Sequence, residues 1–484
     1  MKRRDFLTQI GLLILILTAL GRVQFALGQA MPEDTIDGSI ALGCPTDRSI
    51  KINLLLQADC EVILEYGKAS GLYPHKTQQF LVQAHIPFEI ELTGLDPNTQ
   101  YYYHVLTYNL SGAIVKKSPE YRFHTQRLPG NGFSFCVQGD SHPERSKKTF
   151  DAQLYDRTLR TALSDRPDFY IMMGDDFSVD TIKPVQINAN LVTERYLIQR
   201  DYLKPLSHST PLYLVNGNHE HAARYLLDGT PNNIAVWAQT ARNRYYPQPK
   251  PDDFYTGNEE PVEFIGHLEN YFAWTWGDAL FVAIDPYWSS PIAVDGGYGV
   301  NWHAPAMKKK VDKWQITLGE KQYRWLQKTL AESQAKWKFV FAHHVNGSER
   351  GGVEVAHLYE WGGENKKGHW EFDKYRPNWE LPIHQLMVKH GVTIFFQGHD
   401  HVFARQELDG VTYVTTPYPA DPTYAALNAT RFVSGDVFGG SGYARVVVDD
   451  NSVQVEYIRT FLPDDENTQQ VNGQVEYNFK ITKN

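Results

Sequence analysis

Between Ser49 and Thr125 the chain reads as short runs in which apolar and polar positions alternate. These are SIKINLLLQ, CEVILEYG, PFEIELTGL, QYYYHVLTY and YRFHT, each broken by turn residues. A period of two with no helical period predicts an all-β sandwich over residues 37–126. Arg127-Leu128-Pro129-Gly130 reads as a linker, and from residue 131 the pattern changes. FSFCVQ, DFYIMM, LYLVN, ALFVAI, KFVFA and TIFFQ are near-continuous apolar runs, as expected for strands covered on both faces. Between them, Thr149–Ser164 sets Phe150, Leu154, Leu159 and Leu163 on one stripe, and Lys321–Ser333 does the same with Trp325, Leu326 and Leu330. Such stripes predict amphipathic helices. Val411–Thr482 turns strand-rich again and is expected to complete the second sheet. The expected fold class is therefore α/β, a two-sheet β-sandwich flanked by helices over residues 131–484, preceded by the all-β sandwich.

The first thirty residues belong to neither unit. A basic start, Lys2-Arg3-Arg4, precedes the apolar run Ile10–Leu20, which is too short to cross a hydrocarbon core of about 30 Å. Small residues at Gly28 and Ala30 suit a cleavage site, and Arg3-Arg4-Asp5-Phe6-Leu7 resembles the twin-arginine export motif. Residues 1–30 are expected to be a twin-arginine-type signal peptide, with an uncleaved anchor as the other reading. The mature protein is then periplasmic or secreted, with no stable membrane span after cleavage.

Composition removes several classes. Of 484 residues, 42% are hydrophobic and 13% aromatic, enough apolar side chain to offset chain entropy and exclude disorder as the main state. Acids outnumber bases 56 to 47, for a formal net charge of −9, so no platform for nucleic-acid backbones is expected. Three cysteines cannot make a disulfide scaffold or a four-thiolate zinc site. The extended run between Cys44 and Cys60 would hold its ends roughly 25 Å apart, so these two are expected to stay free, and Cys136 to be a small buried side chain.

Metal-competent residues fall at the ends of five apolar strands. FSFCVQ runs into Gly139-Asp140-Ser141-His142, DFYIMM into Gly174-Asp175-Asp176, LYLVN into Gly217-Asn218-His219-Glu220, KFVFA into His343-His344, and TIFFQ into Gly398-His399-Asp400-His401. Ligands of α/β sheets bind beyond the carboxyl ends of strands, so these loops can converge. A single Asp after a strand is ordinarily a turn or helix cap, and a single His a hydrogen-bonded core residue. Together, imidazole, carboxylate and amide oxygen without thiolate suit a pair of divalent transition ions.

The order Asp-x-His, Gly-Asp, Gly-Asn-His-Glu, His, Gly-His-x-His resembles the calcineurin-like metallophosphoesterase superfamily over about Phe133–Val447. The stretch Leu92-Thr93-Gly94-Leu95-Asp96-Pro97-Asn98-Thr99-Gln100-Tyr101 resembles the signature of fibronectin type III domains, an arrangement similar to that of purple acid phosphatases. The resemblance implies one ion (Mn, Fe or Zn) on Asp140, His142, Asp175 and His401, and a second on Asp175, Asn218, His343 and His399, with Asp175 bridging. Alternation along a strand points His343 and His344 to opposite sides, so either could bind metal, and the resemblance favours His343. Where purple enzymes carry a tyrosinate this chain has Ser178, preceded by Phe177, so no purple charge-transfer band is expected.

The implied activity is hydrolysis of small phosphate mono- or diesters by a metal-bridging hydroxide. Asn218 would stabilise charge on the phosphoryl oxygens, and His219 would protonate the leaving group or else position phosphate. Glu220 and Asp176 are read as orienting residues rather than ligands, and His221 as a helix cap more than a substrate contact. His208, His303, His369 and His384 are read as structural or surface residues. Two insertions, Ala222–Asn270 and the segment following His344, are expected to shape the substrate pocket. The second brings either an aromatic lid or a loop packed on the sandwich unit, with Arg350 as a phosphate clamp. The competing class is a non-catalytic surface-binding protein on a phosphatase-like scaffold. A β-lactamase-like metallohydrolase would need His-x-His-x-Asp-His, which the chain lacks.

Overall fold

The computed structural model describes residues 36–179, 182–294, 312–345 and 349–483. The expected export leader and His303 lie outside these residues. Among the described residues no helix is long and apolar enough to cross a membrane.

The amino-terminal unit is built from two antiparallel sheets. One pairs Gly38–Gly43, Ile50–Leu56 and Phe88–Leu92; the other is centred on Cys60–Gly67 and Gln100–Tyr108. Their inward positions, among them Ile52, Leu54, Val62, Leu64, Tyr103 and Val105, form one buried core. Within the stretch that resembles fibronectin type III domains, the Tyr101 hydroxyl accepts the Asp96 N–H at 2.9 Å and pins the preceding turn. All three cysteines are buried free thiols. Cys44 and Cys60 belong to different cores, which is why they do not pair.

In the second unit a six-stranded sheet runs Leu212–Leu214, Phe169–Met172, Phe133–Gln138, Gly442–Asp449, Ser452–Arg459, Val475–Thr482. An eight-stranded sheet has Ala279–Ala283, Trp337–Phe341, Ile394–Gln397 and Val411–Thr415 as its parallel centre. All six apolar runs are strands. Their inward faces interlock through rings such as Phe135 on Phe281, 5.1 Å between centroids, and Phe135 on Phe339, 5.5 Å. Each large ring buried this way contributes roughly 2–3 kcal/mol. The carboxyl-terminal region divides between the sheets instead of completing one: Val411–Thr415 joins the eight-stranded sheet and the last three strands the six-stranded sheet. Strand periodicity gives the element but not its long-range partner.

Both predicted helices form. Ala152–Ser164 is capped by the Asp151 carboxylate, which accepts the Leu154 N–H at 2.9 Å, and buries Leu154, Tyr155 and Leu159 against the six-stranded sheet's outer face. Glu320–Glu332 buries Tyr323, Leu326 and Leu330 against the other sheet. Two further helices, Ala189–Tyr202 and Ile234–Tyr245, pack beside the amino-terminal unit.

The two insertions take different places in the fold. Part of Ala222–Asn270 reaches the interface between units: Arg244 O accepts the Asn53 side-chain amide at 3.3 Å, and Tyr255 donates its hydroxyl to Pro45 O at 2.6 Å. Its start, Ala222, Ala223 and Tyr225, lines the narrow cleft beside Asn218. Among the described residues, most aromatics after His344 pack on the second unit's own core rather than on the sandwich unit. Tyr359, Trp361, Phe372 and Trp379 are buried with Leu326, Phe395 and Tyr413 on the eight-stranded sheet's outer face, where burial of such rings is most favourable.

Candidate metal centre

The two sheets face each other, so the loops leaving their parallel strands share one rim. There Asp140, His142, Asp175, His219, His343, His344, His399 and His401 form four overlapping, fully buried groups, the ligand atoms of each within 4.8 Å of one another. Asn218 is buried beside them. Glycines allow the loops to meet. A Cβ on Gly217 would lie 2.2 Å from Asp175 Oδ1, and one on Gly174 would lie 2.4 Å from the Gly217 nitrogen. Asp175, His142, His399 and His401 all adopt left-handed backbone, φ 46–66°, an unfavourable state for non-glycine residues that persists where surroundings over-determine it.

Asp140 accepts the His399 N–H at 2.7 Å through Oδ1 and faces His401 Nε2 at 2.8 Å through Oδ2. Asp175 accepts the His219 N–H at 2.9 Å through Oδ1, and its Oδ2 faces His343 Nε2 at 3.1 Å and His142 Nε2 at 3.6 Å. Burial opposes ionisation of both carboxyls, yet His343 with His401 holds Asp140, and His343 with His219 holds Asp175, well below the usual range.

Hydrogen bonding fixes what the imidazoles offer. His343 Nδ1 lies 2.7 Å from Met173 O; a carbonyl only accepts, so Nδ1 carries the proton and Nε2 turns its lone pair on Asp175. His142 Nδ1 lies 2.9 Å from Glu144 Oε1, while its Nε2 has no hydrogen-bond partner and faces Asp140 Oδ2 at 3.5 Å and Asp175 Oδ2 at 3.6 Å. A lone pair aimed at carboxylate oxygens is repulsive unless a cation or proton lies between them. The same demand raises the His343 imidazole to about 10: burial works against its charge, but Asp175 and Asp140 outweigh it. Donors around one ion at 2.0–2.2 Å bonds stand roughly 3–4 Å apart. The donor set therefore fits metal.

Glu220 ligates nothing in this arrangement. Its carboxylate accepts the backbone N–H of Asp175 at 3.0 Å, of Asp176 at 2.9 Å and of Gly217 at 2.6 Å, tying two site loops together. Asp176 Oδ1 accepts Ser141 Oγ at 2.6 Å and the side-chain amides of Gln138 and Gln199 at 3.1 and 3.2 Å. Ser178, standing where purple enzymes have tyrosine, is 3.4 Å from His219 Nδ1. Arg350 donates Nη1 to the His399 carbonyl and sits 3.6 Å from Asp400 Oδ1; it braces the loop between two of the site histidines.

His344 departs from the expected geometry. The strand ends at Phe341, so alternation no longer separates the paired histidines, and His344 joins a group with His343 and His399. Three neighbours escaped the sequence reading. Glu144, two residues beyond His142, left a short-range signal. Tyr287, hydrogen-bonded to His344 Nδ1, and Tyr418, stacked on His401 at 3.9 Å, come from distant segments and left none.

A two-sheet α/β core with buried Asp, His and Asn at its strand ends defines a metal-dependent phosphoesterase. The sequence pattern of calcineurin-like phosphoesterases matches residues 133–403, and the chain belongs to that family. Solved structures similar to it include PhoD, at 14% identity over 93% of this chain and 92% of that one, with a TM-score of 0.62. The purple acid phosphatase PPD1 isolated from yellow lupin (Lupinus luteus) seeds is similar at 17% identity over 93% and 75%, with a TM-score of 0.56. At these identities the likeness is one of fold. Among curated proteins no match is found.

Proposed function

We propose that the protein is an exported phosphoesterase with a dinuclear centre that cleaves small phosphate mono- or diesters. The observation that carries this reading is the opposition of His142 Nε2 and His343 Nε2 to carboxylate oxygens of Asp140 and Asp175 at 3.1–3.6 Å, with both Nδ1 atoms already engaged. One ion belongs on Asp140, His142, Asp175 and His401, the other on Asp175, Asn218, His343 and His399. Bound there, two ions supply an acidified water as nucleophile and neutralise charge on the phosphoryl group.

The remaining steps fall to side chains. The Asn218 amide donates to a phosphoryl oxygen as its charge grows. His219, with its Nε2 3.8 Å from Asp175 Oδ2 and its Nδ1 near Ser178, hands a proton to the departing alkoxide. Arg350 grips a phosphoryl oxygen with guanidinium nitrogens other than the one given to His399. Export rests on the leader sequence, and predicts a mature chain beginning near residue 30.

Purified protein should contain two metal ions by elemental analysis and hydrolyse para-nitrophenyl phosphate or its bis ester with added Mn or Zn. Two bound ions with no turnover on either ester would favour the surface-binding scaffold instead. Mass measurement of the exported protein tests the cleavage.

A further inference from the structure

We infer that His344 is an additional ligand of the second ion, oriented by Tyr287, so that three imidazoles (His343, His344 and His399) grip that ion. The inference rests on the dinuclear reading above and extends its ligand set.

Both histidines of the pair lie beyond the last residue of their strand and are fully buried. The ligand atoms of His343, His344 and His399 fall within 4.8 Å of one another. The His344 ring centroid is 3.5 Å from that of His399, the planes tilted by 46°, and 5.0 Å from that of His343. Such crowding of imidazoles is what a shared cation compensates. His344 Nδ1 is hydrogen-bonded to the Tyr287 hydroxyl. Tyr287 is itself fixed, because the buried Asp285 accepts its N–H at 2.7 Å. At His142 and His343 too, Nδ1 is held by a polar anchor, Glu144 and Met173 O, the pattern by which proteins orient ligating histidines. With Nδ1 of His344 donating to Tyr287, its Nε2 presents a lone pair to the group of His343 and His399. Tyr287 is thus a positioning residue acting through His344.

Three imidazoles would make the second site nitrogen-rich, which favours Zn over Mn there.

Diffraction from crystals of the zinc-loaded full-length protein, with anomalous data at the zinc edge, decides the matter. A His344 ring nitrogen about 2.0–2.3 Å from the second ion is expected; a separation beyond about 3 Å overturns the inference while leaving the dinuclear centre intact. In solution, zinc titrations of His344→Ala should lose affinity for the second ion by about tenfold or more, with the first ion retained. Tyr287→Phe should move the same constant in the same direction by less. Native affinity for both ions in His344→Ala overturns the assignment. If that variant does not fold, the crystallographic distance and Tyr287→Phe still decide. A native protein that binds no second ion defeats the dinuclear reading, and this inference with it.

Discussion

Glu220 and Asp175 are joined through the backbone: one carboxylate oxygen of Glu220 accepts the Asp175 N–H at 3.0 Å and the Gly217 N–H at 2.6 Å. Its other oxygen accepts Asp176 N–H at 2.9 Å. A single buried acid thus sets the spacing between the loop of Asp175 and the loop of Asn218. Burial and the nearby Asp175 charge raise this carboxyl to about 7, with His343 and the backbone bonds working the other way. Glu220→Gln keeps one acceptor oxygen but turns an NH2 group on at least one of these buried N–H groups, leaving it unpaired at a cost of about 1–3 kcal/mol. We expect a lower melting temperature and metal affinity weakened about 10–100-fold. Calorimetric metal titration checks this, and unchanged affinity would remove Glu220 from the positioning role.

The acid role proposed for His219 predicts a dependence on the leaving group. Nitrophenolate departs without help, whereas an alkyl alkoxide needs a proton at the transition state. His219→Ala should therefore keep its metal content and lose about 10²–10⁴ in kcat/KM on alkyl phosphates, with a much smaller loss on para-nitrophenyl phosphate. Parallel measurement on the two substrates is the check. Equal losses on both would mean that His219 only holds phosphate.

The interface between units predicts a different kind of sensitivity. Arg200 is buried with no carboxylate on it; its guanidinium donates to Ser39 Oγ at 2.7 Å and Asn53 O at 2.8 Å, and also to the Ser39 and Tyr245 carbonyls. Burial lowers its ordinary value to about 10. Arg200→Ala strands several carbonyls in the interface and should cost about 3 kcal/mol or more. Urea denaturation of the full chain measures this. A loss below about 1 kcal/mol would mean the interface repacks around water.

These relationships differ in how visible they are from sequence. The six central strands are legible because both faces are buried, and a run such as Phe133–Gln138 has little room for polar residues. Asp140, Asp175, Asn218, His343, His399 and His401 are legible because each stands within four residues of such a strand. The helix Ala189–Tyr202 is not, since its buried side carries Gln199 and Arg200 beside Val192 and Tyr196. Those polar groups bond to Asp176, Ser141, Ser39 and Asn53, so the apolar stripe that marks a helix is missing. The direction of His344 is illegible for a related reason: strand alternation governs direction only up to Phe341, and its partner Tyr287 lies 57 residues away.

Stability should fall as the pH rises from mildly acidic to neutral, and Glu269 is a group responsible that can be tested apart from the metal centre. Its carboxyl is buried, and burial raises it from 4.5 to about 7 although Lys250 and Arg242 pull the other way. The folded chain then holds this proton more tightly than the unfolded chain. Between pH 4.5 and 7 the folded state binds more protons, so stability declines as pH rises through that window and the loss is complete above it. The difference corresponds to roughly 3 kcal/mol. Lys250 stands 3.2 Å from Glu269, but its side chain is 54% exposed, so the ion pair returns little of this. Glu269→Gln keeps the shape and removes the titration. Chemical denaturation of metal-loaded protein should show the variant close to the native chain at pH 5 and more stable than it at pH 8. An identical pH dependence in both proteins would sink the assignment to Glu269.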